Sequence, residues 1–258
     1  MFPPPLIIWS VMENLLDTDN RKSLEFLLTY PLFDEKTFDS RMRELSSMDI
    51  NSVFSFGNVQ LKMAHIIGKG SVGLVTLVKY KNKLLALKIR RTDANRVNMY
   101  DEVLYQSLAN SIGIGPFLVN FSENFILMEY IKGSNIESWY KSQTSNKKLL
   151  RCTNAILQQS FLLDCIKLDH GQLSRLDRHI VVSLDGLPTI LDFETSSTKR
   201  RSSNVTSVSQ SIFLHGPIHA KLQNAINKER TEIIKSIKEY KKHMNREKFQ
   251  RILNLLES

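Results

Sequence analysis

Three glycines and a lysine form the most informative group of residues in this 258-residue sequence. Gly68, Gly70 and Gly73 lie in the segment GKGSVGLV, whose apolar and β-branched residues around a turn predict a strand hairpin. Glycines in such a turn let backbone amides approach phosphate oxygens without an intervening Cβ atom. Lys88 follows in the apolar run ALKIR, where a buried ammonium group needs anionic partners. These residue types could bind a ligand that carries phosphate groups, although such a glycine spacing also occurs in ordinary strand turns.

Acidic and polar side chains that could bind a metal ion or move a proton occur in two later segments. Asp169, Gln172 and Asp177 lie in LDHGQLSRLD, residues 168–177, directly after a predicted helix. Asp192 follows the apolar run PTIL, which forms the second strand of a short predicted hairpin. Carboxylate oxygens are suitable ligands for Mg²⁺, so these segments are candidates for the chemistry that would accompany phosphate binding.

Taken in this order, the motifs resemble those of the protein-kinase superfamily and, more narrowly, the small archaeal Ser/Thr kinase-like proteins related to the RIO group. The resemblance covers roughly residues 60–216. It implies an α+β, two-lobed protein-kinase-like fold with a reduced C-terminal lobe and an N-terminal helical extension. The predicted divisions are an extension at 1–50, an N-lobe at 51–132, and a C-lobe with basic C-terminal helices at 133–258.

The resemblance also implies ATP and Mg²⁺ (or Mn²⁺) as cofactors, bound between the lobes. The residues that match its nucleotide-binding positions are Gly68, Lys69, Gly70, Gly73, Val75, Lys88, Glu102, Glu129 and Ile131. Lys88 would contact the α- and β-phosphates and Glu102 would orient it, with Asp101 as the alternative partner if the helix phase differs. The backbone at residues 129–131 would contact the adenine.

The segment 168–177 departs from the family at the position of the catalytic base, which is Gln172 here. An amide can orient a hydroxyl group but cannot accept its proton. Asp177, five residues later, and Asp192 match the metal-binding positions. Asp169, Asp177 and His170 remain alternatives for the missing base, although a structural bracing role is favoured for His170. Phosphoryl transfer depends mainly on positioning and charge stabilisation, so the substitution does not remove the prediction of activity.

The sequence thus predicts ATP-dependent phosphoryl transfer to Ser or Thr of a protein substrate, which could be the chain itself. No Ala-Pro-Glu motif follows Asp192, and the usual platform for a peptide is missing. Two alternatives therefore stay open, a nucleotide-binding pseudokinase scaffold and a kinase-fold ATPase. A basic nucleic-acid adaptor is a weaker alternative that rests only on net charge and the N-terminal helices.

The charge composition indicates which kinds of partner the protein could bind. The sequence has 35 basic and 26 acidic side chains and a formal net charge of +9, which favours polyanionic partners. Lys199, Arg200, Arg201 and the charged helical region from Ile218 onward could dock an acidic protein.

The two cysteines and the first residues of the chain predict a cytoplasmic protein. Cys152 and Cys165 have neither metal-ligand spacing nor a disulfide pattern, which favours a reducing compartment. The apolar start MFPPPLIIWSVMENLL is too short for a membrane span and is predicted to be an arm docked on the surface, with no role at a membrane.

Overall fold

The computed structural model describes residues 7–10, 18–62, 64–223, 225–226 and 228–257, with side chains from residue 21 onward. The helices are α1 Thr18–Thr29, α2 Glu35–Ser47, α3 Tyr100–Asn110, α4 Ile136–Ser142, α5 Asn146–Cys165, α6 Leu176–His179, α7 Asn204–Phe213, α8 Pro217–Leu222, α9 Arg230–His243 and α10 Arg246–Leu253, followed by a 3-10 turn at Asn254–Leu256. The strands are β1 Ile7–Ser10, β2 Ser52–Ser55, β3 Val59–Gln60, β4 His65–Ile66, β5 Gly68–Lys69, β6 Gly73–Tyr80, β7 Lys83–Arg90, β8 Leu118–Phe121, β9 Phe125–Glu129, β10 Gly133–Asn135, β11 Ile180–Ser183 and β12 Pro188–Ile190.

The chain has a mixed α+β fold with antiparallel sheets. The largest sheet has the strand order β1-β2-β6-β7-β9-β8, and the short strand β5 also pairs with β6. A second sheet has the order β10-β11-β12, and β3 pairs with β4. The start of the chain, predicted to be a surface arm, contributes β1, whose Ile7 pairs with Ser55 of β2. None of the helices in the described part of the chain combines the length and apolar character that a membrane span requires.

The chain divides into two compact units. The first unit contains the described residues up to Leu104 together with Phe117–Tyr130, and the second contains Tyr105–Pro116 and the described residues from Ile131 onward. The division at Tyr130 and Ile131 lies two residues before the predicted boundary at 132. The predicted helical extension belongs to the first unit, because Leu27 and Leu45 are fully buried in the same core as Leu87 of the large sheet.

Helix α2 is fixed to the large sheet by a partly buried polar network. The helix begins after Asp34, whose side chain accepts a hydrogen bond from the Thr37 amide at 2.8 Å. Glu44 accepts hydrogen bonds from the backbone N and from Nδ2 of Asn124, both at 2.8 Å. Oδ1 of Asn124 accepts from Arg90 Nε at 2.9 Å and from the buried Arg41 at 3.3 Å. Burial, the largest cause, lowers the pKa of Arg41 to about 10.

We expect Asn124→Ala to lower the free energy of unfolding by about 2 kcal/mol, because the substitution leaves partly buried donors on two cationic side chains without their shared acceptor. Ser122→Ala, in the same turn, is the matched control. The Ser122 hydroxyl is buried and has no hydrogen-bond partner among the described residues, so its removal should change stability by less than about 0.5 kcal/mol. Urea unfolding of both variants measures the difference, and equal effects would contradict the role of the network.

The second unit is built on the long helix α5, whose buried residues include Leu149, Ile156 and Leu163. Asp164, near the end of α5, is buried and accepts four hydrogen bonds. The backbone N and Nδ2 of Asn204 donate to Oδ1 at 3.0 and 2.8 Å, and the Val205 amide and Tyr240 hydroxyl donate to Oδ2 at 3.2 and 2.9 Å. One carboxylate therefore joins α5 to the start of α7 and to α9.

The amphipathic pattern predicted after Ile218 corresponds to helices α8, α9 and α10. Their apolar positions are buried in the core of the second unit, including Ile237, Tyr240 and Phe249. The ring of Phe249 stacks on that of Phe161 in α5, with ring centroids 4.1 Å apart. The apolar stripe of these helices thus serves packing, as expected for an amphipathic surface helix.

Candidate functional site

The glycine-rich segment forms a tight hairpin between β5 and β6. Gly68 pairs with Val75, and the Gly70 amide donates to the Gly73 carbonyl at 2.8 Å. A Cβ on Gly73 would lie 3.0 Å from Cγ of Lys88 and 3.1 Å from the Ile89 carbonyl oxygen, so close packing against β7 favours a glycine there. A Cβ on Gly68 or Gly70 would meet nothing closer than 4.0 or 3.5 Å, which is ordinary contact. Packing within the protein therefore explains one glycine and leaves two without a structural reason.

Lys88 and Glu102 form a buried ion pair in the first unit. Lys88 lies on β7 directly opposite Val75 of β6, so the two side chains share one face of the sheet. Its Nζ donates to Oε1 of Glu102 on α3 at 2.6 Å, and the two residues are 5% and 2% exposed. Asp101, the alternative partner, is exposed. The structure thus pairs Lys88 with Glu102, the partner predicted from the sequence, and not with Asp101.

Tyr30, at the end of α1, holds the glycine-rich hairpin from its outer side. Nζ of Lys69 donates to the Tyr30 hydroxyl and lies 4.8 Å from the centre of the ring. The guanidinium of Arg91 lies 5.2 Å from the same ring and donates to the Gly70 carbonyl at 2.9 Å. The N-terminal helices therefore contact the hairpin directly, a relation that the sequence did not predict.

The two residues predicted to contact adenine lie at the end of the first unit and the start of the second. Glu129 is the last residue of β9, and its amide donates to the Phe117 carbonyl at 2.9 Å. Ile131 is the first residue after Tyr130, where the second unit begins. Their predicted contacts with adenine stay a prediction.

In the second unit, Asp169 is a bracing residue. Its buried carboxylate accepts hydrogen bonds from Nε of Arg200 at 2.9 Å, from the Ser203 amide at 3.0 Å and from the Ser203 hydroxyl at 3.1 Å. Its backbone forms an antiparallel bridge with Ser197. Three donors hold both carboxylate oxygens, so Asp169 secures the following segment and is poorly placed to accept a substrate proton.

Lys199, Arg200 and Arg201 are the cationic side chains that could dock an acidic protein. Two of them also make contacts within the second unit. Arg200 pairs with Asp169. Arg201 donates to the carbonyl groups of Lys241 and Lys242 at the end of α9, where a cation is favoured by the helix dipole. Lys199 is exposed. Docking of an acidic protein on these side chains stays a prediction.

His170 is fully buried and braces the loop, as the sequence favoured. Its Nε2 lies 2.9 Å from the Leu191 carbonyl oxygen, and its amide donates to Oδ1 of Asn204 at 2.9 Å. The hydroxyl of Thr195 donates to its carbonyl at 3.0 Å. Burial lowers the pKa of His170 to about 4, so the imidazole is neutral at pH 7.

We expect His170 to make stability depend on pH between about 6.5 and 4. Its pKa is lower in the folded chain than its ordinary value of 6.5, so its contribution is fully present above 6.5 and is lost as the pH falls through about 4. The gap corresponds to about 3 kcal/mol. His170→Leu should flatten the pH dependence of urea unfolding over this window, measured with a chelator present. His215→Asn, on an exposed histidine, should leave the dependence unchanged.

His179, which the sequence did not single out, lies beside Asp192. Nδ1 of His179 lies 3.5 Å from Oδ2 of Asp192. Asp177, predicted as the second metal ligand, is exposed in the first turn of α6. Gln172 is half-buried in the loop that precedes this helix. The signal that could have identified His179 is the register of the β11–β12 hairpin, in which Ile180 pairs with Ile190 and places residue 179 beside Leu191.

A divalent metal ion fits part of this arrangement. The side chain of Asp192 is 32% exposed and can offer a carboxylate oxygen. Asp192 has a φ of 69°, in the left-handed region that is uncommon for residues other than glycine. Mg²⁺ prefers oxygen ligands, and its protein ligands are often one or two carboxylates. Within the second unit, a carboxylate oxygen of Glu194 lies within 4.8 Å of one of Asp192, and Nδ1 of His179 lies 3.5 Å from Oδ2 of Asp192.

A scan of the chain against protein-family models finds no match, and a search of curated proteins finds no similar sequence.

Proposed function

We propose that the protein is an atypical kinase that transfers the γ-phosphoryl group of ATP to Ser or Thr of a protein. The observation that carries the proposal is the buried pair of Lys88 and Glu102 beside a glycine hairpin. The internal packing gives no reason for glycine at positions 68 and 70, whereas close approach of phosphate groups to the backbone does. A charged lysine held by a carboxylate on the same face as Val75 is suited to binding the phosphates of a nucleotide.

Each unit contributes residues with distinct roles in this proposal. In the first unit, Lys88 binds the α- and β-phosphates and Glu102 fixes its direction. In the second unit, Asp192 binds the divalent metal ion, and the amide of Gln172 orients the acceptor hydroxyl. Such an ion would offset the negative charge of the phosphate groups. A loose transition state asks little of a general base, so an amide at position 172 is compatible with transfer.

The direct test is incubation of the purified chain with γ-labelled ATP and a divalent metal, followed by detection of labelled protein and of free phosphate. We expect labelled protein in the wild type and in Asp185→Asn, which changes an exposed carboxylate on the β11–β12 turn. Asp192→Asn should abolish the label. Release of phosphate without labelled protein would favour the ATPase. Nucleotide binding without any release would favour the pseudokinase scaffold and would overturn transfer.

The glycines provide a second prediction. Gly70→Ala should leave thermal stability within about 0.5 kcal/mol of the wild type, because the added Cβ meets only an ordinary contact at 3.5 Å. The same methyl group should obstruct a phosphate and weaken ATP binding about tenfold, or about 1.4 kcal/mol. Calorimetric titration with a non-hydrolysable ATP analogue measures the affinity. Leu84→Ala, at an exposed position of β7, is the control for a general effect on the sheet. Unchanged affinity in Gly70→Ala would remove the phosphate role of the hairpin.

A further inference from the structure

His179 and Asp192 are held together by the backbone of a β-hairpin. In the pairing of β11 with β12, Ile180 lies opposite Ile190, and the Leu191 amide donates to the His179 carbonyl at 2.8 Å. The two side chains therefore project from adjacent ends of a hydrogen-bonded ladder. The hairpin fixes the backbone next to both residues, which gives the pair the rigid support that a ligand-binding site needs.

The distance between the two side chains suits a shared cation better than a direct hydrogen bond. The 3.5 Å between Nδ1 of His179 and Oδ2 of Asp192 exceeds the usual range of such hydrogen bonds, about 2.7–3.2 Å. Two ligands that each lie about 2.1 Å from one ion are about 3.0 Å apart in octahedral geometry and about 3.4 Å apart in tetrahedral geometry. A small movement of either side chain is therefore enough to place an ion between them.

The surroundings of the pair leave it open to an ion from one side. The His179 side chain is 5% exposed, whereas that of Asp192 is 32% exposed, so an ion can enter from the carboxylate side. The ring of His179 packs against that of His170, with centroids 5.3 Å apart. Nδ1 of His170 is also buried and has no hydrogen-bond partner among the described residues. The two packed imidazoles thus include one ring nitrogen, Nδ1 of His170, that no hydrogen bond among the described residues uses.

We propose that His179 and Asp192 bind a divalent transition-metal ion, of the Co²⁺ or Zn²⁺ type, in preference to Mg²⁺. Imidazole nitrogen suits the later first-row metals, and affinity for a nitrogen and oxygen site rises from Mn²⁺ through Co²⁺ to Cu²⁺, with Zn²⁺ below Cu²⁺. Mg²⁺ instead prefers oxygen ligands and keeps much of its water. His179 would then determine which metal supports the proposed transfer. In this respect the inference rests on the proposed function, although metal binding itself does not require it.

The test is titration of the tag-free, metal-free chain with Co²⁺ alone, followed by visible absorption spectroscopy, and a parallel calorimetric titration with Mg²⁺. We expect Co²⁺ to bind at least tenfold more tightly than Mg²⁺ and to show the absorption bands of a nitrogen-ligated ion. His179→Asn replaces the nitrogen ligand by an amide, which offers oxygen. It should weaken Co²⁺ binding at least tenfold and leave Mg²⁺ binding equal or stronger. His243→Asn, on an exposed histidine of α9, controls for adventitious binding.

Because His179 is buried, its variant could fold poorly, so Asp192→Asn provides a second measurement at a more exposed position. It should also weaken Co²⁺ binding at least tenfold while thermal melting stays close to that of the wild type. Equal affinities for Co²⁺ and Mg²⁺ in the wild type would overturn the proposal. The proposal would also be overturned if Asp177→Asn weakened Co²⁺ binding and His179→Asn did not. These titrations contain no ATP, so selective Co²⁺ binding in a chain that transfers no phosphate would support the metal site and overturn the kinase activity alone.

Discussion

Lys88→Met is expected to reduce phosphoryl transfer from ATP by about 100-fold or more. The substitution keeps the length of the side chain and removes the ammonium group that would bind the α- and β-phosphates. Losing one well-placed electrostatic contact in a water-excluded site typically lowers the rate by about 100- to 1,000-fold. Initial rates of label incorporation, at ATP concentrations well above and below the KM, would show whether binding or transfer is affected. Lys83→Met, at the exposed start of the same strand, is the matched control.

Loss of activity in Lys88→Met could also reflect loss of the fold, because Lys88 and Glu102 are both buried. Removing one partner of a buried ion pair costs about 3–5 kcal/mol, whereas replacing both by apolar residues is often neutral. The double variant Lys88→Met with Glu102→Leu separates the two effects. We expect it to recover most of the stability lost in the single variant and to remain inactive. If stability and transfer recover together, Lys88 serves only the fold, and its role in phosphate binding is wrong.

The arrangement of Lys88 follows from features that can be read in the sequence. An apolar strand, a glycine hairpin before it and a helix after it determine which face the lysine occupies, because side chains alternate along a strand. The choice between Asp101 and Glu102 depends on helix phase and on which face of α3 is buried. That choice needs the tertiary packing, and the structure resolves it in favour of Glu102.

The arrangement in the second unit was harder to predict for a specific physical reason. A fixed count of five residues from Gln172 leads to Asp177, but α6 is a helical turn between the loop and β11. Because of this turn, β11 begins at Ile180, three residues after Asp177. His179, two residues after Asp177, therefore lies beside Asp192. The pairing of Ile180 with Ile190 could have indicated this, since hairpin register fixes which flanking residues meet.

Long-range polar contacts were beyond sequence reasoning altogether. Arg41 and Asn124 are 83 positions apart, and nothing in either local segment indicates that they meet. The same holds for Tyr30 and Lys69, which attach α1 to the glycine hairpin. Helical periodicity predicts which residues are buried, but the partner of a buried polar group depends on how separate elements pack.

Asp164→Ala is expected to destabilise the second unit by about 4 kcal/mol. Its carboxylate accepts hydrogen bonds from two groups of Asn204, from the Val205 amide and from the Tyr240 hydroxyl. Burial raises the pKa of Asp164 and outweighs these donors, which lower it. The alanine variant leaves several buried donors unsatisfied, at about 1–3 kcal/mol each before relaxation, together with a small cavity. Urea unfolding followed by the fluorescence of Trp139, in a background in which the chain's other tryptophan, Trp9, is replaced by Phe, measures the loss in this unit.

Two further variants show whether the loss comes from the hydrogen bonds or from volume. Asp164→Asn keeps the size and one acceptor oxygen, so the two Asn204 contacts can persist and the loss should be about 2 kcal/mol. Tyr240→Phe removes a single donor and should cost about 1 kcal/mol. Cys165→Ala, the exposed neighbour, should be close to neutral. Equal losses in the Ala and Asn variants would assign the effect to the charge of Asp164 rather than to the four donors that join α5, α7 and α9.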